Sequence, residues 1–368
     1  LISVTIDGNR ADRGGGILNS GTIQLSNSAL SNNTGRLEAG GVYNLAVLEI
    51  ESSTLLGNVG QSATGGGGAI LNRSGSLTVT DSTITNNSIG GSGGGIWSSA
   101  STAYLANSIV AGNSAPDGSP DLSGLYSSGG HNLIGINANS ILPPWDEANT
   151  AEGNVFRQFR GLTDGVNNDR IGTITVPLDA KLGALADNGG PTKTHALLAT
   201  SPAIDGGPVA TTADRDQRGV PRTIGAASDI GAFESGFTGF IVNTTLDSVD
   251  ANPGDGLARD ASGKTSLRAA IMEANAKSGD DQIAVPSGTY TLTIAGTGED
   301  LAATGDLDVT SVITIFGAGV SQTTISGGQL DRVFDITSAG NLTVQDANVT
   351  GGYLGNLAND TGAGLNNS

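Results

Sequence analysis

Cysteine is absent from this chain, and aromatic and charged residues are scarce. The lack of cysteine in 368 residues excludes structural disulfides, thiolate zinc sites and cysteine nucleophiles. Aromatic residues make up 4% and charged residues 14% of the chain, and the latter share is well below the usual quarter. The hydrophobic share of 37% is too high for a disordered acidic tail. No run of about 18 apolar residues occurs, so no membrane-spanning segment is predicted.

Basic residues are also scarce. The chain has 17 basic and 35 acidic residues, which gives a formal net charge of −18. Nucleic acids and anionic lipid surfaces are bound through dense positive charge, so this balance argues against both as partners. The first residue is a leucine and no signal peptide precedes it. We therefore expect a processed form or a segment of something longer.

The abundant residues are glycine, with 58 copies, and asparagine, and both recur with a regular period. Successive asparagines of one set lie 24, 25, 29 and 26 residues apart. Apolar residues stand three and eight positions before these asparagines, and a glycine-rich motif keeps the same period. The set consists of Asn9, Asn33, Asn58, Asn87 and Asn113.

A period of about 25 residues predicts a coil in which each turn, called a rung below, contributes short strands. Apolar residues alternate within these strands, as at Leu77 and Val79, which is typical of one buried face. Stacked rungs pair each strand with its copies about 4.8 Å above and below, and the asparagines then form a hydrogen-bonded ladder. We predict an all-β fold, a right-handed parallel β-helix. The alternative interpretation of the asparagines is that loops are simply rich in Asn.

The rungs and two further stretches carry a family resemblance. Rungs such as LTVTDSTITNNSIGGSGGGIW resemble the pectate-lyase-like β-helix superfamily, in the form common in large bacterial surface proteins. Residues 182–234, which begin LGALADNGGPTKTHALLATSPAIDGGP, resemble the choice-of-anchor Q domain, which closes such helices. Residues 240–277, with FIVNTTLDSVDANPGDGLARDASGKTSLRAAIMEAN, resemble the CSLREA domain, which opens them. The family usually has a cysteine pair where this chain has Ala258 and Thr265, so something else must hold this loop.

The predicted order along the chain is two β-helix segments joined by a looped cap. The segments are rungs over 1–139, a looped closing segment over 140–235, an opening segment over 236–300 and the first rungs of a second solenoid over 301–368. Thr265 resembles a helix N-cap, and residues 266–277 place apolar side chains on one helical face. We expect this short capping α-helix to cover strand edges that would otherwise recruit other chains.

The two ends of the chain fall in the same repeat. Leu1 is in phase with Leu25, and aligning Leu365 with Ile17 leaves only four positions between tail and head. We therefore expect one unit of a tandem array or of a head-to-tail filament, a truncated chain being the alternative. In that assembly, Leu1, Val4 and Ile6 of one unit stack against Leu342, Val344 and Val349 of the next.

Catalysis has little basis in the sequence. The two histidines, His131 and His195, favour structural roles over general-base roles. Outward positions of the first rungs are Ser, Thr and Asn with occasional Glu, such as Glu49 and Glu51, and no carboxylate column faces a basic residue. We predict that the protein is not an enzyme.

A glycine-rich acidic loop is the strongest candidate for metal binding. Hard oxygen ligands within 14 residues suit Ca²⁺, although their spacing departs from the EF-hand, and a solvated acidic loop is the alternative. The predicted ligands are Asp247, Asp250, Asn252, Asp255 and Asp260. A second acidic group stands beside arginines, which favours ion pairs: Asp214, Asp216, Asp229 and Glu234 with Arg215, Arg218 and Arg222.

Three functions remain open at this point. The first is an extracellular or cell-surface structural or adhesive protein, the second a carbohydrate-active β-helix enzyme, and the third a carbohydrate-binding module. The last needs exposed aromatic residues in a row, and Trp97 and Tyr104 are too few and stand in different columns. We favour the first function, with copies of the chain as partner and surface polysaccharide as a further partner to be tested.

Overall fold

The computed structural model describes residues 1–64, 66–116, 119–137, 162–209, 213–296, 298–353 and 364–367, and most of their regular structure is β-strand. The chain divides into two compact units. The first unit comprises Leu1–Ala186, Thr192–Gln217 and Arg222–Gly236, and the second comprises Asp187–Pro191, Arg218–Pro221 and Phe237–Ser368.

The first unit is built from short strands. A 3-10 turn at Val166–Asn168 accompanies them. The strands are β1 (Thr5–Asp7), β2 (Arg10–Arg13), β3 (Ile17–Asn19), β4 (Thr22–Ser26), β5 (Ala29–Ser31), β6 (Thr34–Glu38), β7 (Val42–Asn44), β8 (Val47–Glu51), β9 (Thr54–Leu56), β10 (Val59–Gly60), β11 (Ile70–Asn72), β12 (Ser76–Thr80), β13 (Thr83–Thr85), β14 (Ser88–Ile89), β15 (Ile96–Ala106), β16 (Ile109–Ala111), β17 (Leu122–Gly130), β18 (Leu133–Ile134), β19 (Arg170–Ile171), β20 (Leu182–Ala186) and β21 (Thr194–Leu197).

These strands stack as a parallel β-helix, which confirms the predicted fold class. One sheet has the order β1-β5-β9-β13-β16-β18-β19, a second β14-β10-β6-β2, and a third β3-β7-β11-β15-β12-β8-β4 with β17 beside β15. The predicted columns hold in register, since Leu30 pairs with Ile6 on one side and with Leu55 on the other. Among the strands of the described residues, only β20 and β21, in the closing segment, form an antiparallel pair. Alternation places the inward aliphatic residues of the longer strands in the core, as with Leu48 and Ile50 of β8 and Leu77 and Val79 of β12.

The predicted asparagine ladder is confirmed. Each side-chain amide nitrogen donates to the side-chain oxygen of the asparagine one rung later, over 2.8–3.0 Å. The same oxygen also accepts from the backbone N–H of the preceding asparagine, so each rung is tied twice. The ladder runs through Asn9, Asn33, Asn58, Asn87 and Asn113.

Two further polar columns run along the same coil. In the first, the amide of Asn19 donates to Asn44 and that of Asn44 to Asn72, both over 2.8 Å, inside the sheet. In the second, the backbone N–H of Ser28 donates to the hydroxyl of Ser53 over 3.1 Å, and the pattern repeats in the next rungs. The buried polar groups of these columns are therefore hydrogen-bonded along the coil axis.

Part of the closing segment lies along the side of the first unit. The segment, called the strap below, is residues 192–209, 213–217 and 222–236. It reaches one corner of five successive rungs, where the corner residues have left-handed φ values of 43–57°. The contacts are Thr192 Oγ1 to the Asn27 carbonyl, Arg222 to the Ser52 hydroxyl and to the Asp81 carboxylate, the Gly231 N–H to the Asn107 carbonyl, and His131 Nδ1 to the Gly206 carbonyl. Residues 140–161 of the predicted closing segment lie outside the described residues.

The second unit repeats the architecture on a smaller scale. Its sheets have the orders β22-β23-β26-β29, β24-β27-β30 and β25-β28-β31, all parallel. Its elements are β22 (Phe240–Ile241), α1 (Leu267–Ala276), β23 (Asp280–Val285), β24 (Gly288–Thr291), β25 (Leu307–Val309), β26 (Val312–Gly317), β27 (Thr323–Ser326), β28 (Phe334–Ile336), β29 (Asn341–Gln345), β30 (Asn348–Thr350) and β31 (Leu365–Asn367).

The predicted capping helix is present, with a different N-cap. Helix α1 packs Leu267 and Ile271 into the core of the second unit. Its N-cap is Ser266, whose hydroxyl accepts from the backbone N–H of Ala269 over 3.0 Å. Thr265 is not the N-cap because its backbone is paired with Asn243.

Candidate functional site

The predicted metal loop is held to the second unit by an arginine of α1. Asp247 is bonded to Arg268, with Oδ1 2.7 Å from Nε and Oδ2 3.2 Å from Nη2, and both side chains are buried. The same carboxylate accepts the backbone N–H groups of Thr293 and Ile294. Arg268 therefore ties the Asp247 end of this loop to helix α1. The sequence offered one signal for it, a basic residue on a helix whose neighbours are apolar.

Two other predicted ligands, Asp255 and Asp260, accept hydrogen bonds from the backbone of their own loop. Asp255 accepts the backbone N–H of Leu257 over 2.8 Å, and Asp260 accepts those of Ser262 and Lys264 over 2.8 and 2.9 Å. Such bonds from an aspartate to nearby backbone are typical of turns. Within the part of the chain that the structure describes, no group of three or more Asp, Glu, His or Cys side chains is arranged to hold a metal ion. Calcium binding by the five predicted residues stays a prediction.

The remaining predicted aspartate lies beside a glutamate that the sequence analysis did not single out. Asp250 is 5% exposed, and its Oδ1 accepts the backbone N–H of Asn252 over 3.1 Å. Glu273 of α1 is fully buried and accepts the backbone N–H groups of Gly254 and Gly256, both over 2.5 Å. Burial raises the pKa of the Asp250 carboxyl, and the neighbouring Glu273 carboxylate adds to the rise.

A carboxylate column with an arginine lies in the second unit. Asp308 of β25 and Asp335 of β28 are in register on neighbouring strands, and Arg332 bonds to Asp306 and Asp335, each over 2.9 Å. Burial, with the carboxylates of Asp306 and Glu299, raises the pKa of Asp308 to about 7. This is the type of site that a β-helix enzyme needs. However, Asp308 is 1% exposed, which keeps it from a polymeric substrate.

The second acidic group of the sequence analysis belongs to the strap and serves its backbone. Glu234 accepts the N–H groups of Ile224 and Asp229, each over 2.8 Å. Burial, together with the neighbouring Asp229 carboxylate, raises the pKa of Glu234 to about 7. Arg222 makes its ion pair with Asp81 of the solenoid, at 3.8 Å, a partner that the sequence did not suggest.

Each of the two histidines hydrogen-bonds to a backbone carbonyl. Nδ1 of His131 lies 2.9 Å from the carbonyl oxygen of Gly206 in the strap. In β21, His195 places Nδ1 2.7 Å from the Gly183 carbonyl, which assigns the proton to Nδ1, while Nε2 is buried without a partner. Burial lowers the pKa of His195, which favours the neutral ring.

Aromatic residues on the sheet face do not form an exposed row. Trp97 shares a column with Leu71 and Tyr43, and Tyr104 shares another with Thr78, which confirms that the two predicted residues stand in different columns. The sequence analysis missed Tyr43, but its ring is only 6% exposed.

A concave cavity of about 340 Å³ lies at the last regular rungs of the first unit. Thr85, Asn86, Asp179 and Lys181 supply polar atoms to its wall. Asp121, which also lines it, is 1% exposed and already accepts three N–H bonds.

In the described part of the chain, no helix combines the length and the apolar character that crossing a membrane requires. Comparison of the chain with protein-family models, with curated proteins and with solved structures found no match. The resemblance to the choice-of-anchor Q and CSLREA domains therefore rests on the motifs in the sequence.

Proposed function

We propose that the chain is an extracellular structural or adhesive module, one unit of a tandem array or of a head-to-tail filament. The observation that carries this proposal is the strap, which bonds to one corner of five successive rungs, from Asn27 to His131. Together with the asparagine ladder, it ties neighbouring rungs along the coil axis. A coil braced in this way resists bending and stretching, which suits a spacer on a cell surface.

The use of buried charge supports a structural role. Arg222 reaches the Gly231 carbonyl over 2.9 Å and the Asp81 carboxylate, and its side chain is 1% exposed. Arg268, which is fully buried, donates to the carbonyls of Ala302 and Gly305 over 2.8 Å in addition to its ion pair. Both arginines are held in buried ion pairs that maintain the fold. Breaking such a pair typically costs about 3–5 kcal/mol.

Half-exposed core columns support head-to-tail stacking. Val4 and Ile6 pack against the core of the first unit but are only partly buried. Leu342, Val344 and Val349 pack against the core of the second unit in the same state. A further rung stacked on either set would complete the burial of these side chains and pair the exposed strand edges.

The assembly is tested on the full chain by electron microscopy and light scattering over a range of concentrations. We expect fibres whose mean length grows with concentration, and we expect Val349→Asp to shorten or abolish them. Val320→Asp is the matched control, since Val320 is 69% exposed and stands outside the column. Monodisperse monomers at high concentration, or equal loss of fibres in both variants, would contradict the proposal. Immunogold labelling of intact cells tests the location.

The second candidate function is a carbohydrate-active enzyme. It is favoured by the carboxylate column of Asp306, Asp308 and Asp335 around Arg332, and it is disfavoured by the burial of Asp308. Incubation with acidic polysaccharides, followed by assays for reducing ends and for unsaturated products, tests it. Release of sugar by the wild type that is lost in Asp335→Asn would establish the enzyme and overturn the purely structural assignment. Binding without cleavage would identify surface polysaccharide as a partner.

A further inference from the structure

Two buried carboxyl groups face one another between the acidic loop and the capping helix of the second unit. Asp250 is 5% exposed and Glu273 is fully buried. The Asp250 Oδ2 atom is shielded from solvent, and no N–H or O–H group donates to it. The Glu273 side chain is its neighbour, close enough for the two carboxyl groups to hydrogen-bond when one of them is protonated. An unpaired carboxylate oxygen in such a place is costly unless something compensates its charge.

The residues that the structure describes supply no compensating cation there. Arg268 of the same helix is engaged with Asp247, and Lys277 at the helix end is bonded to Asp281 over 2.7 Å. Among the described residues, no ion pair involves Asp250 or Glu273. Apart from the contact between the two carboxyl groups, the bonds to the pair come from neutral backbone N–H groups, which leave its net charge unchanged.

We propose that Asp250 and Glu273 together bind one Ca²⁺ ion that ties the acidic loop to helix α1. The site keeps one of the five residues predicted from the sequence and replaces the other four with a helix glutamate. Its donors are carboxylate oxygens, and the ion completes its shell of about 6–8 oxygens with loop carbonyls and water. Oxygen donors without imidazole or thiolate favour Ca²⁺ over Zn²⁺, and an irregular loop suits Ca²⁺ better than the strict octahedron of Mg²⁺.

The test uses the full chain with CaCl2, MgCl2 or a chelator as the only variable. Calorimetric titration should find one Ca²⁺ per chain, and the melting temperature should rise with Ca²⁺ and fall in chelator. Asp250→Asn and Glu273→Gln should each lose the Ca²⁺-dependent shift. The matched control is Asp255→Asn, because Asp255 is an exposed residue of the same loop that binds only the Leu257 N–H; it should keep the shift.

Two results would overturn the site. One is a wild-type melting curve that is identical in Ca²⁺ and in chelator, with no heat of binding. The other is stability that ignores Ca²⁺ but falls between pH 5 and pH 8, with the dependence lost in Asp250→Asn, which would show that the pair shares a proton instead. Melting and titration are measured on dispersed chains, so failure here is independent of the filament proposal.

Discussion

Truncating one central asparagine tests whether the ladder stabilises the first unit. Asn58 is fully buried in the middle of the ladder. Its side-chain oxygen accepts from both nitrogens of Asn33, over 3.1 and 2.9 Å, and its amide donates to the Leu30 carbonyl over 2.9 Å and to Asn87 over 2.8 Å. Asn58→Ala removes all of these bonds. It leaves the backbone N–H of Asn33 without its acceptor, and the side-chain amide of Asn33 keeps only the Ile6 carbonyl.

The expected cost follows from the four lost bonds. A net contribution of about 1 kcal/mol for each bond predicts a loss of about 4 kcal/mol in the free energy of unfolding. The assay is urea unfolding followed by tryptophan fluorescence, because Trp97 lies in the first unit and packs on its surface. Unfolding of a solenoid with two units need not be two-state, so the first transition is the one to compare.

Asn9→Ala is the matched control. Asn9 occupies the same ladder, but it is exposed, and its side chain makes only the bonds to Asn33 and to the Asp7 carbonyl. Water replaces those bonds, so we expect a loss of less than about 1 kcal/mol. Equal losses in Asn9→Ala and Asn58→Ala would refute the view that buried ladder bonds stabilise the unit.

Three more substitutions probe packing and pH dependence. A β-carbon built on Gly66 lies 1.3 Å from Trp97 Cε3, so Gly66→Ala should destabilise the first unit by about 3 kcal/mol, with a change in tryptophan emission. Asp308 has a folded pKa of about 7, above its unfolded value, so its contribution to stability is present at low pH and lost as the pH rises. The free energy of unfolding should therefore fall by about 2–3 kcal/mol between pH 5 and pH 8, and Asp308→Asn should flatten this slope in urea titrations. His195 has the opposite sign: its folded pKa is lowered, so stability should fall as the pH drops below about 6.5, and His195→Gln should remove that part of the acid slope.

The sequence predicted the interior of the first unit because each rung repeats the same bonds. Leu30 and Leu55 occupy one column, and so do Asn33 and Asn58, since stacked residues must make equivalent contacts with the rungs above and below. Register between parallel strands is set by such columns. Because every rung must make the same contacts, the same residue types recur in the sequence with the period of the rungs. That repeat predicted the columns.

The strap and the carboxyl pair left no such signal. Arg222 meets Asp81 across 141 residues of chain, and nothing periodic links the two positions. Glu273 resembled an ordinary polar residue of an amphipathic helix, yet it is fully buried because the backbone of the acidic loop folds over it. Asp247 and Asp260 are close in sequence, but they do not form one site. Asp247 bonds to an arginine, and Asp260 bonds to the backbone of a turn.

The asparagine ladder ends at an aspartate, Asp121. In earlier rungs a small residue, such as Gly95, precedes the inward aliphatic residue, and a β-carbon there would lie 3.0 Å from the Asn113 amide nitrogen. Asp121 occupies this column one rung later, and its Oδ1 accepts the backbone and side-chain N–H groups of Asn113 over 2.9 and 2.8 Å. Its Oδ2 takes the N–H of Ile136 over 2.6 Å. A carboxylate accepts the last donors of a ladder but donates nothing to a further rung, so this aspartate ends the repeat where an asparagine would continue it.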